Sequence, residues 1–214
     1  MNARPASAKK YIEIIKHYES CLAKHGDSHL GVDWPKAQDA ETRYRVMLEV
    51  IRRPRAGTLR LLDFGCGASH LYEYTVANDI RGIEYTGLDL SPKFVELSRN
   101  KFPKNNYVCA DILEEPEAVP AADYIVMNGV FTEKRGLDFD EMLGYFERTV
   151  KAAFAKAELG LAFNVMSKHV DWEREDLFHL PFDTLARFLV RELTHNFVIR
   201  NDYGLYEYTA YVYR

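Results

Sequence analysis

Leu61-Leu62-Asp63-Phe64-Gly65-Cys66-Gly67-Ala68-Ser69-His70-Leu71 is the stretch on which the fold turns. An apolar strand runs into a turn with glycines two apart, and the turn runs into a helix. Glycines in such a turn let the backbone approach a ligand where a Cβ would clash. A G-x-G pair also ends strands for purely structural reasons, so the flanking residues decide. The pyrophosphate-binding form of this loop wants a third glycine three residues after the second. Here that position is His70, bulky where the helix must pack close. A dinucleotide, and with it a nucleotide-dependent oxidoreductase, is disfavoured.

Outward from this loop, short apolar runs alternate with amphipathic segments. Strands are predicted at Leu59–Phe64, Ile83–Leu88, Tyr107–Ala110, Tyr124–Met127 and Leu159–Val165. The fourth is wholly apolar and reads as buried on both faces. Helices are predicted from near Ser69, from Pro92 behind an N-cap at Ser91, over Phe139–Lys156 and over Phe182–Leu193. Phe197–Asn201 and Leu205–Tyr213 read as an antiparallel hairpin, whose tyrosines (Tyr203, Tyr206, Tyr208, Tyr211, Tyr213) should mostly pack in the core. Strands alternating with helices imply an α/β fold with a mostly parallel sheet, helices on both faces, and a reversed final hairpin.

Before the first strand the pattern is helical. Tyr11, Ile14, Ile15, Tyr18 and Leu22 form one apolar stripe, and the stretch His25–Pro35 interrupts it. A second stripe, Tyr44, Met47, Leu48 and Ile51, is closed by Pro54 and Gly57. Residues 1–57 are thus expected to be a helical extension or lid, and 58–214 the globular unit. The 214 residues carry 28 Lys and Arg against 32 Asp and Glu, a net charge of −4 that offers no basic field for a nucleic acid. Met1–Lys10 leads into no apolar h-region, and no apolar run reaches the length of a membrane span. Three dispersed cysteines make no disulfide framework. A cytoplasmic protein is expected, monomer or homodimer.

Three further elements accompany the loop. In Gly87-Leu88-Asp89-Leu90-Ser91-Pro92, Asp89 ends the second strand, where a carboxylate accepts from ribose hydroxyls; alternatively it assists the cap of the next helix. In Cys109-Ala110-Asp111-Ile112-Leu113, Asp111 can accept from an adenine amine while Ile112 covers the ring. Asp123-Tyr124-Ile125-Val126-Met127-Asn128-Gly129 puts Asn128 and Gly129 at the carboxyl end of the central strand, where open α/β sheets bind ligands. The order D-x-G-C-G, G-L-D-L-S-P, A-D-I and D-Y-I-V-M-N-G resembles the class I S-adenosylmethionine-dependent methyltransferases over roughly Leu59–Phe131. The third glycine usual in their loop falls at Ser69, a small residue that can cap a helix. The resemblance implies a seven-stranded sheet, S-adenosylmethionine as donor with S-adenosylhomocysteine as product, and cofactor contacts from Gly65, Gly67, Asp89, Asp111, Ile112 and Asn128. Asp63, Cys66, Leu90 and Gly129 are expected in the same site. Arg43, on the second helix, is a candidate for the methionine carboxylate, or else a solvated helix arginine. Trp34 and Tyr18 could face the sulfonium or pack in the core.

The methyl acceptor is less determined. Two loops over the sheet's carboxyl end hold candidate bases, Glu133 after the fourth strand and His169 in the charged insert after the fifth. No metal site is expected, because Gly26 and Asp27 between His25 and His29 work against a helical ligand pair. Gly129-Val130-Phe131 lacks the two prolines of the DNA amino-methyltransferase motif. A small polar metabolite, a sugar or natural-product intermediate, is the expected acceptor, O- or N-methylated; the alternative is a non-catalytic module that keeps the cofactor for an interaction role.

Overall fold

The computed structural model describes residues 10–52 and 57–214; residues 1–9 and Pro54, expected to close the second helix, lie outside them. The strands are β1 (Leu59–Phe64), β2 (Ile83–Asp89), β3 (Asn106–Cys109), β4 (Ala122–Met127), β5 (Ala157–Ser167), β6 (His179–Leu180), β7 (Phe197–Arg200) and β8 (Glu207–Tyr213). The helices are α1 (Ile12–His25), α2 (Ala37–Leu48), α3 (His70–Ala77), α4 (Pro92–Lys101), α5 (Phe139–Lys156) and α6 (Phe182–Glu192). Seven strands form one path in the order β3-β2-β1-β4-β5-β8-β7. β1 to β5 run parallel, and β8 is antiparallel to both β5 and β7. The two-residue β6, which the sequence does not announce, pairs beside the end of β5 through Met166 and Ser167.

Alternation along the strands divides the core in two. Leu62, Phe64, Ile125, Met127, Leu161 and Phe163 face one side, where they meet Phe146 and Val150 of α5 and Leu185 and Leu189 of α6. Leu61, Tyr85, Tyr124, Val126 and Ala162 face the other, against Tyr44 and Met47 of α2 and Leu71 of α3. Residues alternate across a strand with period two, so every second side chain serves one face. α5 keeps the boundaries read from sequence because Asp138 and Glu141 close a full capping box at its start. Ser91 accepts from Phe94 N–H and Pro92 follows it at the first helical position, as expected. Ser69 departs from expectation: it precedes α3 at φ 57° and its side chain caps nothing, donating instead to the Tyr107 hydroxyl at 3.2 Å. Of the hairpin tyrosines only Tyr206 is exposed, while Tyr208, Tyr211 and Tyr213 are buried.

α1 crosses the carboxyl ends of the strands, and Ile14 is its one buried side chain. Polar contacts hold it: Tyr11 to Asp111, Lys10 to Glu141, Glu19 to Ser91 and Lys93. Among the described residues no helix is long and apolar enough to cross a membrane.

Candidate functional site

Between α1 and the strand ends lies a cleft of about 1040 Å³. Its floor is the turn after β1. Gly65 and Gly67 have φ of 73° and 50°, the left-handed region that favours glycine. A Cβ at Gly65 would also stand 2.7 Å from Val130 Cγ2. Gly65 and Cys66 N–H both donate to the Leu88 carbonyl, at 2.7 and 3.0 Å, which fastens the turn to β2. Asp63 lies beneath, buried, accepting from the Tyr85 hydroxyl at 2.7 Å; burial pushes its carboxyl up to about 7.

Asp89 supports the start of the next helix and also lines the cleft. Its Oδ1 accepts from Ser91 N–H at 2.8 Å, supporting the start of α4, and its Oδ2 accepts from Gly67 N–H at 2.9 Å while lining the cleft. Burial raises its pKa, and these backbone donors oppose the rise. Each oxygen keeps a lone pair for a ligand hydroxyl. Cys66 and Leu90 line the same wall. Asp111 is taken at one oxygen by the Tyr11 hydroxyl (2.6 Å) and at the other by Leu113 N–H (2.9 Å). Ile112 is buried in the core cluster, and Ala110 is the residue from this segment that reaches the cleft. Tyr11 and Tyr145, stacked with centroids 4.8 Å apart, cover that end instead.

At the opposite wall a chain of contacts joins distant segments. Gly129 N–H donates to Asn164 Oδ1 at 2.7 Å, Asn164 Nδ2 to Glu207 Oε1 at 2.9 Å, and Arg43 Nε to Glu207 Oε2 at 2.8 Å. The Arg43 guanidinium lies 4.1 Å above the Trp34 ring, and Trp34 fills the space that a Cβ at Gly129 would need. Arg43 is therefore no solvated helix residue; it is half of a buried ion pair. Its Nη1 and the Asn128 Oδ1 are buried without a partner among the described residues. One donor and one acceptor left over beside the cleft complement the head group of an amino acid, so the residues present fit S-adenosylmethionine.

Of the candidate bases, Glu133 is buried, and burial pushes its carboxyl up to about 7 against the opposing Arg135 charge. It is not in the cleft wall; Tyr18, an electrostatic neighbour of Glu133, is. Tyr18 donates to the Gly129 carbonyl at 3.4 Å. Arg135 ties Glu133 (2.8 Å) to His17, Asp33 and Asp176. His169 is not brought to the cleft: its ring stacks on Phe182 at 5.2 Å. His29 Nδ1 lies 2.6 Å from the Trp34 carbonyl oxygen. Sequence reasoning missed Asn164 and Glu207, polar residues inside apolar strands, where a buried polar position is itself a signal. It also missed His17, Cys21 and Glu19, which flank the apolar stripe of α1.

The family described as "Methyltransferase domain" matches residues 62–152. A Mycobacterium tuberculosis protein that carries a methyltransferase name is 30% identical over 158 residues, covering 70% of this chain and 90% of that protein. The malonyl-[acyl-carrier protein] O-methyltransferase of Acetivibrio thermocellus is 25% identical over 181 residues, 83% of this chain and 56% of its own length. Among solved structures, the magnesium protoporphyrin IX methyltransferase of Synechocystis PCC 6803 with bound S-adenosylmethionine shares the fold. Its TM-score is 0.67 at 13% identity, over 99% of this chain and 100% of that one.

Proposed function

This chain belongs to the S-adenosylmethionine-dependent methyltransferases, and on that premise we propose that its acceptor is a small polar molecule entering beside Tyr18 and Val130. The observation that carries the reading is the enclosure of the cleft. Tyr11, Ile14 and Tyr18 of the first helical segment and Trp34 line it opposite the glycine turn, and the opening beside Tyr18 and Val130 suits a small partner. We assign residues 1–57 the role of lid on the same ground, as far as they are described.

Bound S-adenosylmethionine supplies a methyl group on a positively charged sulfonium. Asp89 would receive the ribose hydroxyls, Ala110, Tyr11 and Tyr145 would face the adenine with Asp111 holding the Tyr11 hydroxyl, and Gly65 and Gly67 would let the backbone close on the chain between them. Arg43 Nη1 and Asn128 Oδ1 would take the amino-acid head group. Val130 and Tyr18 bound the space left for the acceptor and keep water from it. Glu133 is the candidate acceptor of a proton when the nucleophile is a hydroxyl, with Tyr18 between it and the cleft. A neutral amine needs no such base.

The test is a screen of hydroxyl and amine metabolites scored by S-adenosylhomocysteine release. Turnover with a small compound supports the reading. Turnover confined to acceptors carried on a protein, as in the Acetivibrio relative's name, would overturn it.

A further inference from the structure

Under α1, on the side away from the cleft wall, three side chains of metal-ligating type converge. His17 and Cys21 are one helical turn apart on α1, and Asp33 follows the short turn after the helix. One donor atom from each lies within 4.8 Å of the other two. We propose that His17 Nε2, Cys21 Sγ and Asp33 Oδ2 form a divalent cation site of the zinc class, and that the Arg135 guanidinium fills it when no ion is bound.

The geometry has two supports. First, a tetrahedral zinc separates its nitrogen and sulfur ligands by about 3.5 Å and its nitrogen and oxygen ligands by about 3.3 Å. The present separations are 3.6 Å for Nε2 to Sγ and 2.7 Å for Nε2 to Oδ2, with Sγ and Oδ2 within 4.8 Å, so the first pair already fits and the second must open by about 0.6 Å. Second, His17 Nε2 faces incompatible partners. It stands 2.7 Å from the Asp33 carboxylate, which requires it to donate, and 2.5 Å from Arg135 Nη2, which requires it to accept. One ring nitrogen offers either a proton or a lone pair, never both. A metal ion resolves the conflict by taking the lone pair and the carboxylate together.

Arg135 has somewhere to go. Its Nε already lies 2.8 Å from Glu133 and its Nη1 3.6 Å from Asp176, so withdrawal of Nη2 leaves its charge matched. The residue is held at φ 47°, and Asp33 at 58°, left-handed conformations at two of the positions involved. On binding, the Cys21 thiol releases its proton to solvent and the thiolate bonds the ion. With three protein ligands the fourth position is open to water. The ion would pin α1 to the 29–33 turn that follows it.

The experiment uses the full chain, stripped of metal and reduced with a phosphine so that no added thiol competes. Titration with Co2+ should show one equivalent bound and a thiolate-to-cobalt charge-transfer absorption, displaced by zinc. Cys21→Ser, its fold checked by circular dichroism, should lose that absorption and weaken binding by about tenfold or more. Arg135→Gln should tighten binding by about tenfold, because a competing cation has been removed. No charge-transfer absorption in the wild-type chain, or equal affinity for wild type and Cys21→Ser, would overturn the site. Unchanged or weaker affinity in Arg135→Gln would overturn the role given to Arg135.

Discussion

The two ends of the cleft are built on different principles. The end formed by the turns after β1 and β2 is made of backbone: Gly65, Cys66, Gly67 and Ser91 give N–H groups to Leu88 and Asp89, all within the stretch Gly65–Ser91. The opposite end is held by side chains from segments far apart, Gly129 with Asn164 and Arg43 with Glu207, separated by 35 and 164 positions. Backbone geometry tolerates few sequences and so leaves a motif. A charged cluster can be assembled from many positions and leaves none. On the proposed reading the first end takes the ribose of the cofactor and the second its amino-acid head group.

Removing a charge from the distal end should have the largest effect. Arg43→Met leaves Glu207 buried, 1% exposed, and unpaired, which should cost about 4 kcal/mol of unfolding free energy in urea titrations. A loss below about 1 kcal/mol would show that end to be loosely coupled and would break the comparison. At the backbone end, Asp89→Ala strips two N–H groups of their acceptor and the ribose of its partner. Calorimetry with S-adenosylhomocysteine should show affinity lower by about 3 kcal/mol; full affinity would refute the ribose assignment. Glu133→Gln should lower turnover of a hydroxyl acceptor about a hundredfold. A base must be unprotonated to act, so wild-type kcat/KM should rise as pH passes through about 7 and the variant should lose that rise. The smallest effect is expected for Ser69→Gly. Relief at φ 57° favours the variant, while the lost bond to Tyr107 and the freer unfolded chain oppose it, leaving a change within about 1 kcal/mol by thermal denaturation.

The same division explains what the sequence disclosed. β1, β2 and β4 were readable because their apolar runs are bounded by glycine, serine or proline signals, and the ends of α5 because its cap is local. β6 exists only through its pairing with β5, so two residues carry no periodicity of their own. Ser69 stands in sequence where a glycine is usual, but its left-handed backbone, the reason a glycine is usual there, is a property of the folded turn. Arg43 was singled out without its partner, because Glu207 lies near the other end of the chain and sits in a strand where a carboxylate has no pattern to mark it. His17 and Cys21 share a four-residue spacing that was on the page; what the sequence could not supply was Asp33 beside them.

The place of β8 has a consequence for how the chain is made. It lies between β5 and β7, yet it is synthesised after both, and among the described residues β7 pairs with no other strand. During folding β5 therefore presents one open edge, and Phe197–Arg200 has no strand to pair with until Glu207–Tyr213 docks between them. Such unpaired edges are where nascent chains associate with one another. Docking of the last strand is thus the step that closes both edges at once.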